Sequence, residues 1–271
     1  MNKCMSKFIG VYKENNHSCI RLCHLKIKIR KYSIFEHFKN LINIYISIRL
    51  INLKHKYRII PIGQYCLPRV ITTFSNIKPT KSSGELSCPF DLAFFNSFDD
   101  IIRLLDTRFS YFYEDLSYND EKQQWENKSI NAIFNHDGML SKEDFISRYA
   151  QRINNIYTYM SETSRFKYFL FATFQEIPTN NLNRLLETLT SFCPNNEYRI
   201  IIINQSKKKL DFEHENIYII NQSNNTHRFR KINKVGDWVA ELRRCNCFDA
   251  FKIYSDISLS ILKTILEDLS K

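Results

Sequence analysis

Hydrophobic positions in the second half of the chain switch between two periods. Tyr168–Phe174, Tyr198–Asn204 and Ile217–Asn221 are short apolar runs of strand length. Asn181–Phe192 and Ile257–Leu269 space their apolar residues three and four apart, as a helix burying one face does. Upstream, Tyr57–Ile62 is an Ile-rich run that ends at Gly63, a strand entering a turn, with Pro61 limiting its pairing. Leu67–Phe74 predicts a helix that tolerates Pro68 in its first turn, where an N–H has no helical partner. Ser97 caps a further helix through Ile101 and Leu104. Asp144–Met160 carries Phe145, Tyr149, Ile153, Ile156 and Met160 on one helical face. Strands alternating with helices predict an α/β fold, a largely parallel sheet flanked by helices. Asn221–Lys234 is polar and reads as a loop.

The first 56 residues break the pattern and form a basic N-terminal extension to an α/β domain over residues 57–271. Phe35, Phe38, Leu41, Ile42 and Tyr45 predict a helical extension, although Ile44, Ile46, Ile48 and Leu50 alternate as a strand would. Charge sharpens this division. The formal excess of +11 lies wholly in residues 1–58, which hold 13 Lys and Arg against Glu14 and Glu36, while the remainder holds 26 of each sign. Any electrostatic partner therefore belongs to the extension. Lys26–Lys31 alternates basic and apolar residues, and Phe35–Leu53 is amphipathic, a pattern suited to an anionic membrane surface. A solvated extension docked on the domain is the plainer account, and nucleic acid is disfavoured because no recognised module is present.

Leu41–Leu53 is interrupted by polar residues and falls short of the roughly 18–20 apolar residues a membrane crossing needs. Met1–Val11 lacks the apolar run of a signal peptide. A cytoplasmic setting is expected, in which the eight cysteines are reduced thiols.

Missing motifs narrow the chemistry. There is no glycine-rich nucleotide cradle, no G-x-S-x-G elbow, no H-E-x-x-H helix and no Asp-x-Asp pair. Cys19-x-x-x-Cys23-His24 and Cys245-x-Cys247 match no compact four-ligand zinc spacing, so neither metal nor other cofactor is expected. What remains is Gly63-Gln64-Tyr65-Cys66 before a predicted helix, then Ser87-Cys88-Pro89-Phe90-Asp91. A cysteine where a strand turns into a helix meets N–H groups and a dipole that favour its thiolate and a developing oxyanion.

The G-x-x-C segment, the Pro89-Phe90-Asp91 segment and the downstream Phe134-Asn135-His136-Asp137 together resemble a family of unknown function labelled papain-like cysteine peptidases. The helix with Arg152-Ile153 is similar to the family's next element, and the likeness covers roughly residues 57–205. Leu92 stands where members commonly carry Trp. The resemblance implies Cys66 as nucleophile and His136 as general base in a thiol hydrolase or acyltransferase acting on a peptide or other acyl substrate. Asp137, Asp91, Asn204 and Asp237 are all open as the group that orients the imidazole. Papain's own antiparallel domain disagrees with the parallel pattern read here. Two alternatives stand beside this reading. One is a carbohydrate-active or sugar-nucleotide-binding α/β protein using Asp91 and His136, and the other is a non-enzymatic interaction module.

Overall fold

The computed structural model describes residues 56–74, 77–78, 84–193, 198–222 and 247–269, together with the strand segments 9–14, 17–22 and 25–29. The chain divides into two compact units, Met1–Ile51 and Asn52–Lys271. In the first, β1 (Ile9–Glu14), β2 (His17–Leu22) and β3 (Leu25–Ile29) form an antiparallel sheet in that order. Its register pairs Val11 with Ile20 and Ile20 with Ile27. The alternation at Lys26–Ile29 thus belongs to a strand, period two being what a pleat requires. The helix expected over Ile34–Leu53 lies outside the described residues.

The second unit opens with β4 (Tyr57–Gly63) and α1 (Leu67–Phe74). β5 (Phe94–Phe95) and α2 (Phe98–Asp106) follow, then β6 (Leu116–Asn119), β7 (Gln124–Asn127) and β8 (Ala132–Phe134). The chain continues through α3 (Lys142–Ser161), β9 (Phe166–Thr173), α4 (Thr179–Phe192), β10 (Tyr198–Asn204), β11 (Ile217–Asn221) and α5 (Cys247–Leu269). β4, β9, β10 and β11 form one wholly parallel sheet in that spatial order. The α/β expectation is met, with helices on both faces of this sheet. Pro61 pairs opposite Leu170 within β4, which is tolerated because β4 lies at the sheet edge and its missing N–H can point outward.

Both faces of the parallel sheet are buried, which is why its strands read as continuous apolar runs rather than alternating ones. Ile60, Ile62, Phe169, Phe171, Ile200 and Ile202 enter the main core with Ile101 and Leu105 of α2, Tyr149 and Ile156 of α3, and Leu182 and Leu189 of α4. The alternate residues Ile59, Leu170, Ile201 and Ile203 are buried on the other face. There the Tyr168 hydroxyl donates to Asp268 Oδ2 of α5 (3.1 Å) and Arg199 pairs with Asp268 (2.9 Å). Helix caps follow the sequence: Ser97 Oγ accepts the Asp100 N–H and Ser141 Oγ the Asp144 N–H, each at 3.1 Å.

Between β4 and β9 the chain inserts an antiparallel sheet, in spatial order β5-β8-β7-β6, which the apolar periodicity did not reveal. Its strands are two to four residues long and partly polar, too short to set a period. Gln123 and Asn131 close its connections at φ +53° and +46°. Among the described residues, no helix is long and apolar enough to cross a membrane.

Asp268→Ala should cost about 1.5–3 kcal/mol, the range for hydrogen bonds to a charged group. Urea unfolding would measure it, with Glu267→Ala as the control. Glu267 pairs with Lys263 on an exposed helix face, and its loss should cost under about 0.5 kcal/mol.

Candidate active site

β4 ends at Gly63, and Gln64 and Tyr65 lead to Cys66, whose carbonyl accepts the Val70 N–H (3.0 Å) and so opens α1. The turn packs closely around Gly63. A Cβ at Gly63 would lie 3.0 Å from Pro68 Cγ, 3.2 Å from the Tyr65 carbonyl oxygen and 3.3 Å from the Ala172 nitrogen. Cys66 is left part-exposed, whereas the other thiols described, Cys88 and Cys193, are buried. Burial pushes the Cys66 thiol above its ordinary pKa, and a backbone hydrogen bond offsets only part of that. Burial pushes the Cys88 thiol up to about 12, so Cys88 carries no thiolate at neutral pH.

β8 delivers His136 through a single 3₁₀ turn, Asn135–Asp137. Just before it, the Phe134 ring sits 5.0 Å from Phe145, 4.9 Å from Tyr149 and 5.7 Å from Phe112, which packs the strand end onto α3. Just after it, a Cβ at Gly138 would fall 1.9 Å from the Gln123 carbonyl oxygen, so only glycine fits against that backbone. The imidazole is part-buried. Burial lowers its pKa; Asp137 pulls the value up and Arg152 pushes it down, and the net result lies below the ordinary histidine value. At pH 7 His136 is therefore neutral, the form a base requires.

Asp137 is buried and committed to α3. Arg148 Nη1 lies 2.6 Å from Oδ1, while the Tyr149 hydroxyl (2.8 Å) and Arg152 Nη1 (3.1 Å) donate to Oδ2. Burial alone would raise this carboxyl, but Arg152, Tyr149 and Arg148 together hold it below the ordinary carboxylate range. Its role in the structure is to fasten the His136 turn, and it reaches the imidazole only through its charge.

Asp91 is likewise buried, at the end of the 3₁₀ turn Pro89–Asp91. Its Oδ2 accepts the Cys88 N–H (3.2 Å) and lies 3.7 Å from Arg69 of α1, and its Oδ1 lies 3.9 Å from Lys78 Nζ. From Lys78 the ion pairs continue to Glu85 (3.5 Å), then Arg58 of β4 (3.1 Å), then Glu162 (2.8 Å). Asp91 thus ties the Cys66 helix to this buried cluster. Asn204 donates to the Lys208 carbonyl (2.9 Å) and to Asn221 Oδ1 (2.8 Å), and accepts the Ser206 N–H (3.1 Å). That occupies it with the β10–β11 ends. Asp237 lies outside the described residues.

Among the described residues no hydrogen bond joins the Cys66 thiol to His136, and neither group moves the other's titration. Their link is through the backbone. The Gln64 carbonyl accepts the Phe95 N–H (2.7 Å), Phe95 pairs with Ala132, and His136 follows on the same chain.

Sequence reasoning missed a second polar group around Cys66. Gln64, fully buried, donates through Nε2 to the Asn96 carbonyl (3.2 Å) and to Gln175 Oε1 (2.9 Å), and its Oε1 accepts the Thr173 hydroxyl (2.5 Å). The only signal was Gln64 inside a buried turn, which demands partners. Among the described residues no cluster of three or more His, Cys, Asp or Glu is arranged to hold a metal ion. No family model, curated protein or solved structure matches this chain.

Asp137→Asn should leave Arg152 buried without its counter-charge and cost about 3–5 kcal/mol. The pH dependence carries a sign. A carboxyl with a lowered folded pKa contributes stability that is fully present above the ordinary carboxylate value and is lost as pH falls through the folded one. Denaturant unfolding of wild type should therefore weaken on that acid limb, and Asp137→Asn should flatten this contribution.

Proposed function

We propose that this chain is a thiol-dependent acyl-transfer enzyme, a hydrolase of the cysteine-peptidase type, with Cys66 as nucleophile and His136 as general base. The observation that carries this reading is the seat of Cys66: a part-exposed thiol at the first turn of α1, on the carboxyl end of a parallel strand. A cytoplasmic, reducing setting suits a thiol that must stay reduced.

The direction of each pKa supports a particular course. With the thiol raised and the imidazole lowered, both partners are neutral at pH 7. The proton then moves during attack rather than in a preformed ion pair. As substrate brings the two turns together, the Cys66 sulfur bonds to the acyl carbon. Its proton passes to a His136 ring nitrogen and the carbonyl π pair moves onto oxygen. Collapse restores the carbonyl and expels the leaving group with its bonding pair; an amine takes the proton back from His136. Water then adds to the thioester carbon and gives a proton to His136. The C–S bond breaks, the carboxylic acid departs, and the sulfur recovers its proton. In the first turn of α1, Leu67 and Arg69 offer N–H groups to the oxyanion and Pro68 offers none.

A second reading is favoured by a separate observation. Amides crowd the carboxyl edge of the parallel sheet, where Gln64, Gln175, Asn204 and Asn221 bond one another in pairs. Open α/β sheets take ligands at that edge, and amides suit a carbohydrate or sugar nucleotide. In this reading Asp91 is not a ligand group, being held by Arg69 and Lys78.

Incubation with p-nitrophenyl acetate should place an acetyl thioester on Cys66, located by mass spectrometry, and Cys66→Ala should abolish it. His136→Ala should slow the reaction by about 10²–10⁴-fold. Because the base must be neutral, the wild-type rate should fall only as pH drops through a value below 6.5. An unmodified Cys66, with UDP-glucose raising the melting temperature instead, would replace this reading by the sugar-nucleotide one.

A further inference from the structure

The register of the β1-β2-β3 sheet sorts its residues by chemistry. Successive residues of a strand fall on opposite faces, and residues paired across strands share a face. Val11, Ile20 and Ile27 form one row, and Ile9, Leu22 and Leu25 form another on the same face. On the opposite face Arg21 stands against Lys26, and Tyr12, Cys19 and Lys28 share the neighbouring row. Apolar residues and cations are thus separated by the pleat.

The cationic face lacks its own counter-charge. Glu14 is the one acid in the three strands, and it lies in the end row, opposite His17. Arg21 and Lys26 occupy directly opposed positions, where like charges repel and weaken the pairing. An anion laid over the two offsets that repulsion. Lys28 follows Lys26 on the same face, roughly 7 Å further along β3. A bilayer would have to take the apolar face, which leaves these cations on the side away from the lipid phosphates. The apolar face also has a source of cover within the chain. The same compact unit runs to Ile51 and includes Phe35, Phe38, Leu41 and Ile42, and a sheet buries its apolar face against such residues. What remains for a partner is the face of Arg21, Lys26 and Lys28, which complements phosphates in water. Tyr12 on that face narrows the choice. An unpaired base offers its flat surface to an aromatic ring, and a base inside a duplex does not.

We propose that this face of the β1-β2-β3 sheet binds single-stranded nucleic acid, with Arg21, Lys26 and Lys28 meeting phosphates and a base stacking on Tyr12. Binding of this kind uses the backbone and the flat surface that every base has, so it tolerates sequence. It belongs to the first compact unit and does not depend on the reading of Cys66.

Fluorescence anisotropy of the full chain with labelled oligothymidylate, across about 50–200 mM salt, tests it. Three phosphate contacts should make log K fall with log salt at a slope of about −2 or steeper. Arg21→Ala, Lys26→Ala and Lys28→Ala should each make the slope shallower by about 0.7. Tyr12→Leu removes no charge and should weaken binding about tenfold at an unchanged slope. Lys13 lies on the apolar face, two residues from Val11. Lys13→Ala loses the same charge and should keep the wild-type slope. An equal change of slope in Lys13→Ala would overturn the proposal, because net charge alone would then account for binding. Wild type that ignores the oligonucleotide but sediments with phosphatidylserine vesicles would overturn it in favour of a membrane surface.

Discussion

β4 and β9 lie side by side although the whole antiparallel sheet and three helices come between them in the chain. Closing that interval costs chain entropy before any contact is gained. It is offset by strands buried on both faces, which is why Ile59 to Ile62 and Tyr168 to Ala172 are apolar almost without interruption. Everything proposed for the site follows from this one pairing. Its register sets Gly63 against Ala172, and the lack of a side chain at Gly63 lets the Cys66 turn fold tightly over the strand end. The same register brings Gln64 within reach of Thr173 and Gln175.

Two buried charge systems hold what the sheet does not. One is a single carboxylate gripped by three donors of α3, the other a chain of ion pairs running from Arg69 to Glu162. Burying charge is costly, and well-packed apolar groups could give equal stability. Removing one partner of such a pair, by contrast, leaves a buried charge uncompensated. Both systems end at a turn of the candidate site: the Asp137 system at His136 and the Asp91 system at the helix that follows Cys66. The two aspartates that looked like partners for the imidazole are the fasteners of the two turns.

Tertiary burial sets the direction in which the acidity of Cys66 moves. The sulfur is packed into a turn, and its desolvation outweighs the backbone hydrogen bond that would lower its pKa. The imidazole is moved by the same cause in the opposite direction. Burial thus favours the neutral form of both groups.

By itself the sequence determined whatever depends on neighbours along the chain. The strand–turn–helix around Cys66 was legible because Gly63, Pro68 and an apolar run suffice to specify it. The parallel strands were legible because burial on both faces leaves continuous apolar runs, and β10 and β11 fell where those runs placed them. The short strands β5 to β8 were not, being too brief to set a period, and α5 begins ten residues earlier than its apolar spacing suggested. Only the tertiary structure decided the partners. That Asp137 meets Arg148, Tyr149 and Arg152, that Asp91 meets Arg69 and Lys78, and that Gln64 meets Gln175 all depend on how distant segments are set side by side. A polar residue type announces that it needs a partner once buried. Which partner it finds is fixed by register and packing, and these are properties of the folded chain.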